Sequence, residues 1–205
     1  MMAPYVGKNY GAKSTLKLLL VGESPYLGRS ETQHASPSSW YEGSARTLKS
    51  AAWIDLKSVF EESRGNRFAI PQHSIWRNSL SEINRRGPNF DDFTQVANYI
   101  AFYNFFLRPG MQGKSLCVEK EDFEMANAAF EMHFGKLKPT AVVFLSQLAH
   151  RHFDKSLVGA VPLICTPHPG CAWWNRISKG YGNKRGRDIL GDFIDSTWPR
   201  RTAKI

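Results

Sequence analysis

A histidine held between two prolines, Pro167-His168-Pro169-Gly170, is the most chemically pointed feature of the chain. The flanking rings restrict the backbone and hold the imidazole in place, and an imidazole gains or loses its proton near neutral pH. Asn104, in Tyr103-Asn104-Phe105-Phe106, offers an amide donor and acceptor side by side, which suits an imide-type edge. Glu23 is the one carboxylate of Gly22-Glu23-Ser24-Pro25-Tyr26, fit to orient a water or to offset a neighbouring positive charge. Each also has a plainer reading: a loop histidine capping a strand end, an asparagine satisfying backbone groups, a carboxylate accepting from loop amides.

Other signals fail on spacing. Gly11 to Thr15 (GAKST) has the tail of a phosphate loop, but Val6 and Ala12 stand where that loop needs glycines, and it precedes the first strand instead of following it. Ser24 follows a strand as in a nucleophile elbow, yet Tyr26 occupies the position of the required glycine. His150 and His152, two apart in a short helical stretch, fall on different faces and do not share a metal. His133, in a helix rich in Phe, reads as a packing residue. Cys117, Cys165 and Cys171 form no C-x-x-C pair, so neither a disulfide framework nor a cysteine-built metal cluster is expected.

The elements that must position these residues alternate between strand and helix. Leu16 to Gly22 is a compact apolar run that reads as a buried strand, followed by a polar loop over Ser30 to Ser39. A helix is expected from Ser44 through Glu62 and another over Ser74 to Arg86, stopped by Gly87-Pro88. Val96 to Phe106, rich in β-branched and aromatic residues, reads as a second strand. Glu119 to Leu137 is a helix with a stripe of Phe123, Ala126, Phe130 and Phe134. Thr140 to Ser146 and Val161 to Pro167 supply strands three and four, with a short helix through Phe153 between them and a last helix near Gly186 to Ser196. These elements predict a single α/β domain, a three-layer α/β/α sandwich on a central four-stranded, mostly parallel sheet, with a core of about residues 15–195 and a basic tail at 199–205. Such sheets bind ligands beyond the carboxyl ends of their strands. GESPY, YNFFLRP, SQ and PHPG all lie there.

Charge narrows the partners. The 205 residues carry 27 Lys and Arg against 18 Asp and Glu, a net +9. That surplus favours a polyanion such as nucleic acid, or an anionic membrane surface. The early apolar run is too short to span a bilayer, and the expected setting is cytoplasmic. Lys179 to Arg187, containing Lys184 and Arg185, is a basic run that reads either as phosphate contacts or as a solvated face.

At the four strand ends the chain resembles the uracil-DNA glycosylase superfamily, closest to its thermophile-type branch. LLLVGESPY (Leu18 to Tyr26) is similar to the branch's GEAPG motif, and YNFFLRPG (Tyr103 to Gly110) to its TN-x-x-K-C-R-P-P stretch. KPTAVVFLSQLAH (Lys138 to His150) is similar to its third strand and following helix, and TPHPG (Thr166 to Gly170) to its HP-containing motif. The resemblance spans roughly residues 15–195. It implies a base-excision repair enzyme that flips a damaged nucleotide out of DNA and hydrolyses its N-glycosidic bond, with His168 hydrogen-bonding the departing uracil oxygen and Asn104 reading the base edge. It makes Tyr26 the residue that crowds the base C5 position. YEGSARTL (Tyr41 to Leu48) resembles the family's FVGRAG stretch, which makes Tyr41, with Trp40 next, the stacking platform. Trp173 and Trp174, followed by Asn175 and Arg176, are placed to wedge into the base stack or simply to pack the loop, and Arg176, Lys179, Lys184, Arg185 and Arg187 to meet phosphates.

The departures are specific. Leu107 replaces the cluster cysteine, so no iron–sulfur cluster, and no other cofactor or metal, is expected. Ser24 stands where the most active branch carries a catalytic Asp; it can hold a water but is no base, so uracil excision is expected to be slow, and Ser24→Asp to raise it. The sequence thus predicts a monomeric DNA-base glycosylase. Its alternatives are a weak or inactive relative that binds single-stranded or damaged DNA and, less well matched to the charge, a hydrolase of small nucleosides.

Overall fold

The computed structural model describes residues 3–12, 16–27, 34–41, 55–111, 113–114 and 116–198. Its centre is a five-stranded sheet in the order β1 (Tyr5–Val6), β4 (Ile100–Asn104), β2 (Leu18–Gly22), β6 (Ala141–Phe144), β7 (Leu163–Cys165). The last four are mutually parallel, and β1 adds an antiparallel edge against β4. The four-stranded sheet expected from sequence is present with this one addition. A two-residue strand carries too little pattern to be read.

All five residues of β2 are buried, as are all four of β6. A strand covered on both faces loses the polar alternation of a half-exposed one. Consecutive residues of β4 show the two layers. The Phe102 ring meets Trp76 at 5.6 Å and Phe60 at 6.2 Å on one face, while Tyr103 meets His133 at 5.3 Å and Phe130 at 6.3 Å on the other. The first face is covered by α2 (Leu56–Gly65) and α3 (Ser74–Arg86), the second by α4 (Lys120–Leu137). The last helix, α6 (Gly186–Thr197), packs on α3, with Gly191 against Glu82 and Arg86.

Local chemistry sets the boundaries. Asp55 caps α2 by accepting from the amides of Lys57 and Ser58, so within the described residues this helix begins at Leu56; residues 44–54 of the longer expected helix lie outside them. Glu119 and Asp122 form a capping box at the start of α4. Two expectations need correction. Pro37–Tyr41 is a short helix (α1) where a loop was expected, because Ser36 caps it and Pro37 supplies a ready-made first turn. Phe93–Tyr99 is 3-10 helix, so the second strand starts at Ile100. Asp92 caps that turn through the Thr94 amide, and its buried Val96 and Ala97 have the same apolar signature as a strand. No helix among the described residues is long and apolar enough to cross a membrane.

Candidate active site

The four carboxyl ends are stitched together by backbone hydrogen bonds. Phe105 and Phe106 amides donate to the carbonyls of Gly22 and Glu23 at 3.1 and 2.8 Å, Leu145 to Val21 at 2.8 Å, and Thr166 to Phe144 at 2.9 Å. Parallel β3 (Tyr26–Leu27) and β5 (Gly110–Met111) pair beyond the main sheet and tie the first loop to the second. Among the parallel strands, successive connections run first to one side of β2 and then to the other, so the topological switch lies between β2 and β6. Ligands of such sheets gather at that point.

Glu23 sits at the switch. Its Oε2 accepts from the Ser146 hydroxyl at 2.6 Å and its Oε1 from the Tyr26 hydroxyl at 2.9 Å. Ser146 follows β6 by two residues and caps α5 (Gln147–His152), so the carboxylate spans the two strand ends. Tyr26 is itself held: its ring lies against Gly110, where a side chain would collide with it. Burial, then the adjacent Glu23 charge, pushes the Tyr26 phenol well above its ordinary range.

Asn104 is the last residue of β4, in register with Gly22. Its amide lies across Gly22, filling the place a side chain there would take. The amide is half-buried, and its Oδ1 is the atom turned toward Gly22.

His168 follows β7. The Gly170 amide donates to its Nδ1 at 3.0 Å, which fixes Nδ1 as acceptor and leaves the proton of the neutral ring on Nε2. The loop is pinned from behind, with Cys171 N donating to His168 O at 2.9 Å and Asn78 of α3 donating to Pro169 O at 2.7 Å. A side chain at position 170 would crowd the Ser74 hydroxyl and the His168 ring. The imidazole keeps an open face by area yet lies deep among protein atoms. That desolvation lowers its pKa, and the Glu23 charge only partly opposes the shift. The ring is therefore a neutral Nε2–H donor at neutral pH, within electrostatic range of Glu23.

The other expected site residues divide. Ser24 is buried, 6% exposed, beside Tyr26 and Gly110, which leaves it little access to a solvent water. Trp40 packs with Leu27 and Tyr41 in a small apolar cluster and has little surface to offer a base. Tyr41 donates through its hydroxyl to Asp122 at 3.0 Å; the motif residues after it, 42–48, lie outside the described region. Trp173 is 47% exposed, but Trp174, at 3%, packs against Gly186 in the main core, so of the adjacent pair only Trp173 presents its ring to solvent. Arg176 and Lys179 are exposed and have no ion pair among the described residues. Lys184 pairs with Asp192 at 2.6 Å, Arg185 with Asp188 at 3.7 Å, and Arg187 lies 4.0 Å from Asp188. The tail at 199–205 lies outside the described residues.

Three contributors escaped the sequence reading. Ser146 had the signal of a polar residue between strand and helix, though nothing pointed to Glu23. Asn78 acts across 91 positions without a local motif. Arg108 is 3% exposed and gives two hydrogen bonds to Asp122 while also donating to the carbonyls of His34 and Cys117. It thereby anchors the segment that carries Trp40 and Tyr41 to α4. The chain matches no known family model and no curated protein.

Proposed function

We propose that the protein is a DNA-base glycosylase of the uracil-DNA glycosylase type, hydrolysing the N-glycosidic bond of uracil or a related damaged base. The observation that carries this reading is His168: a neutral imidazole with Nδ1 occupied by Gly170 and Nε2–H available, at the same set of strand ends as Glu23 and Asn104. Breaking the bond leaves negative charge on the base and positive charge on the sugar. A preorganised neutral donor stabilises the first without a prior proton transfer, Asn104 reads the imide edge, and Glu23 orients water or offsets the sugar cation. Exposed Trp173, Arg176 and Lys179 follow the histidine loop in sequence and suit contact with an opened duplex.

A panel of oligonucleotides containing uracil, hypoxanthine, xanthine or oxidised pyrimidines tests the reading through alkali-labile abasic product. At least one base is excised, and His168→Ala abolishes most of the activity. Ser24, buried and no base, favours the second reading, a damaged-DNA binder with little turnover. That protein would shift oligonucleotide mobility with no abasic product from any member of the panel.

A further inference from the structure

We propose that Ser146 is a positioning residue that orients the Glu23 carboxylate at the strand ends that also carry His168, acting through Glu23 and touching neither base nor sugar. The inference rests on the glycosylase reading for the rate it governs, while the geometry behind it is independent of that reading. Ser146 is 1% exposed, and its hydroxyl does two things at once. Its oxygen caps α5 by accepting from the Ala149 amide at 3.2 Å, and its hydrogen goes to Glu23 Oε2 at 2.6 Å. A hydroxyl has one proton to give, and because the cap takes an oxygen lone pair, the proton is left for Glu23.

The terminal torsion of a glutamate is broad and poorly defined on its own. Here one oxygen is held from the β6–α5 junction and the other from Tyr26, which is fixed against Gly110. With both oxygens tethered, the plane of the carboxylate is set. Each oxygen still has acceptor capacity for a water or a developing cation. The tether crosses the switch between β2 and β6, so this hydrogen bond links the start of α5 to the first loop. A residue serving only as a helix cap would have no need to meet Glu23.

The test separates donor from cap. Glycine is nearly as good an N-cap as serine, so Ser146→Gly removes the hydrogen bond to Glu23 at little cost to α5. Ser146→Thr keeps both hydroxyl functions. In single-turnover excision, Ser146→Gly slows the chemical step about 10- to 100-fold, the usual effect of a hydrogen bond to a charged group. Binding of a substrate-length oligonucleotide is unchanged, and Ser146→Thr restores most of the rate. In a Glu23→Gln background the same Ser146→Gly substitution costs no more than about twofold. Equal losses in both backgrounds, or a loss seen only in binding, overturn the proposal. The 13Cδ resonance of Glu23 is read in parallel, and it moves on Ser146→Gly and stays near its place on Ser146→Thr. A wild-type protein that excises nothing defeats the glycosylase reading alone. An unmoved Glu23 resonance defeats the positioning role whether or not any base is excised.

Discussion

The Gly170 amide donates to Nδ1 of His168 at 3.0 Å, and that one bond decides which nitrogen of the ring can act on a substrate. The neutral ring is the Nε2–H tautomer, and long-range 15N correlation spectra should show Nδ1 as the unprotonated acceptor. Desolvation holds the pKa below the ordinary 6.5 against the opposing Glu23 charge. Excision is therefore flat above the ordinary imidazole range and declines only as pH falls through the lowered value. His168→Ala removes the donor and should cost about 10²- to 10³-fold in rate, the usual loss for one preorganised donor to a developing anion. A bell or a plateau lost above neutral pH would contradict a neutral donor.

The same shift makes a claim about stability. Between the lowered folded value and the unfolded 6.5, the unfolded chain binds more protons at His168, so stability rises with pH in that window and is lost as pH falls through it. Buried His73 and half-buried His150 are shifted down by desolvation too, so they act in the same direction. Melting temperature should fall from pH 7 toward pH 5, and less steeply in His73→Gln than in wild type.

Ser24→Asp distinguishes motif from structure. By motif alone, an aspartate here should speed uracil excision. The site is buried beside Tyr26, and Glu23 is the adjacent residue, so a second carboxylate would be desolvated next to a like charge. The expected result is a protein destabilised by about 1–3 kcal/mol with no gain in rate. Urea unfolding together with single-turnover excision reports both, and a faster, equally stable variant would refute the burial argument.

What could be read in the sequence follows from how local each signal is. β2 and β6 were legible because they are apolar throughout, and α3 because Gly87-Pro88 ends it. The Val96–Tyr99 stretch misled because burial, which shapes composition, is shared by a buried 3-10 turn and a strand. His168, Asn104 and Glu23 stood out as unusual residues at strand ends. Trp173 and Trp174, neighbours of one type, could not be told apart until the loop's path sent one inward and one outward. Ser146, Asn78 and Arg108 were invisible in these roles because each works through a partner distant along the chain, 123 positions away for Ser146 and Glu23.

The Trp pair gives a clean contrast. Trp174→Ala removes a core side chain and should cost about 3–5 kcal/mol of stability. Trp173→Ala should leave the melting temperature nearly unchanged and weaken binding to an oligonucleotide carrying an abasic-site analogue. The reverse pattern would place the wrong ring on the surface.

Arg108 and Asp122 form a doubly hydrogen-bonded pair with side chains 4% and 0% exposed. Burial alone would raise the Asp122 pKa, but Arg108, the Glu119 amide and the Tyr41 hydroxyl override it, and the carboxyl ends below its ordinary 3.8. This contribution is present above that ordinary value and is lost as pH falls through the folded one. Asp122→Ala leaves a buried guanidinium unpaired and should destabilise by about 3–5 kcal/mol, whereas a paired apolar replacement of both residues should cost far less. Chemical denaturation of the single and double variants measures the difference.

Phosphate contact should divide the basic run by its existing partners. Lys184 is committed to Asp192 at 2.6 Å, and Arg185 and Arg187 share Asp188, so DNA gains little from them without breaking those pairs. Arg176 and Lys179 have no such competitor among the described residues and face solvent directly after the His168 loop. Binding measured against salt concentration reads this out, because each phosphate contact adds about one to the slope of log affinity on log salt. Arg176→Ala and Lys179→Ala should each lower the slope by about that amount, and Lys184→Ala should leave it nearly unchanged. A slope governed by Lys184 would mean that DNA opens the α6 ion pair on binding and approaches from the far side of the loop.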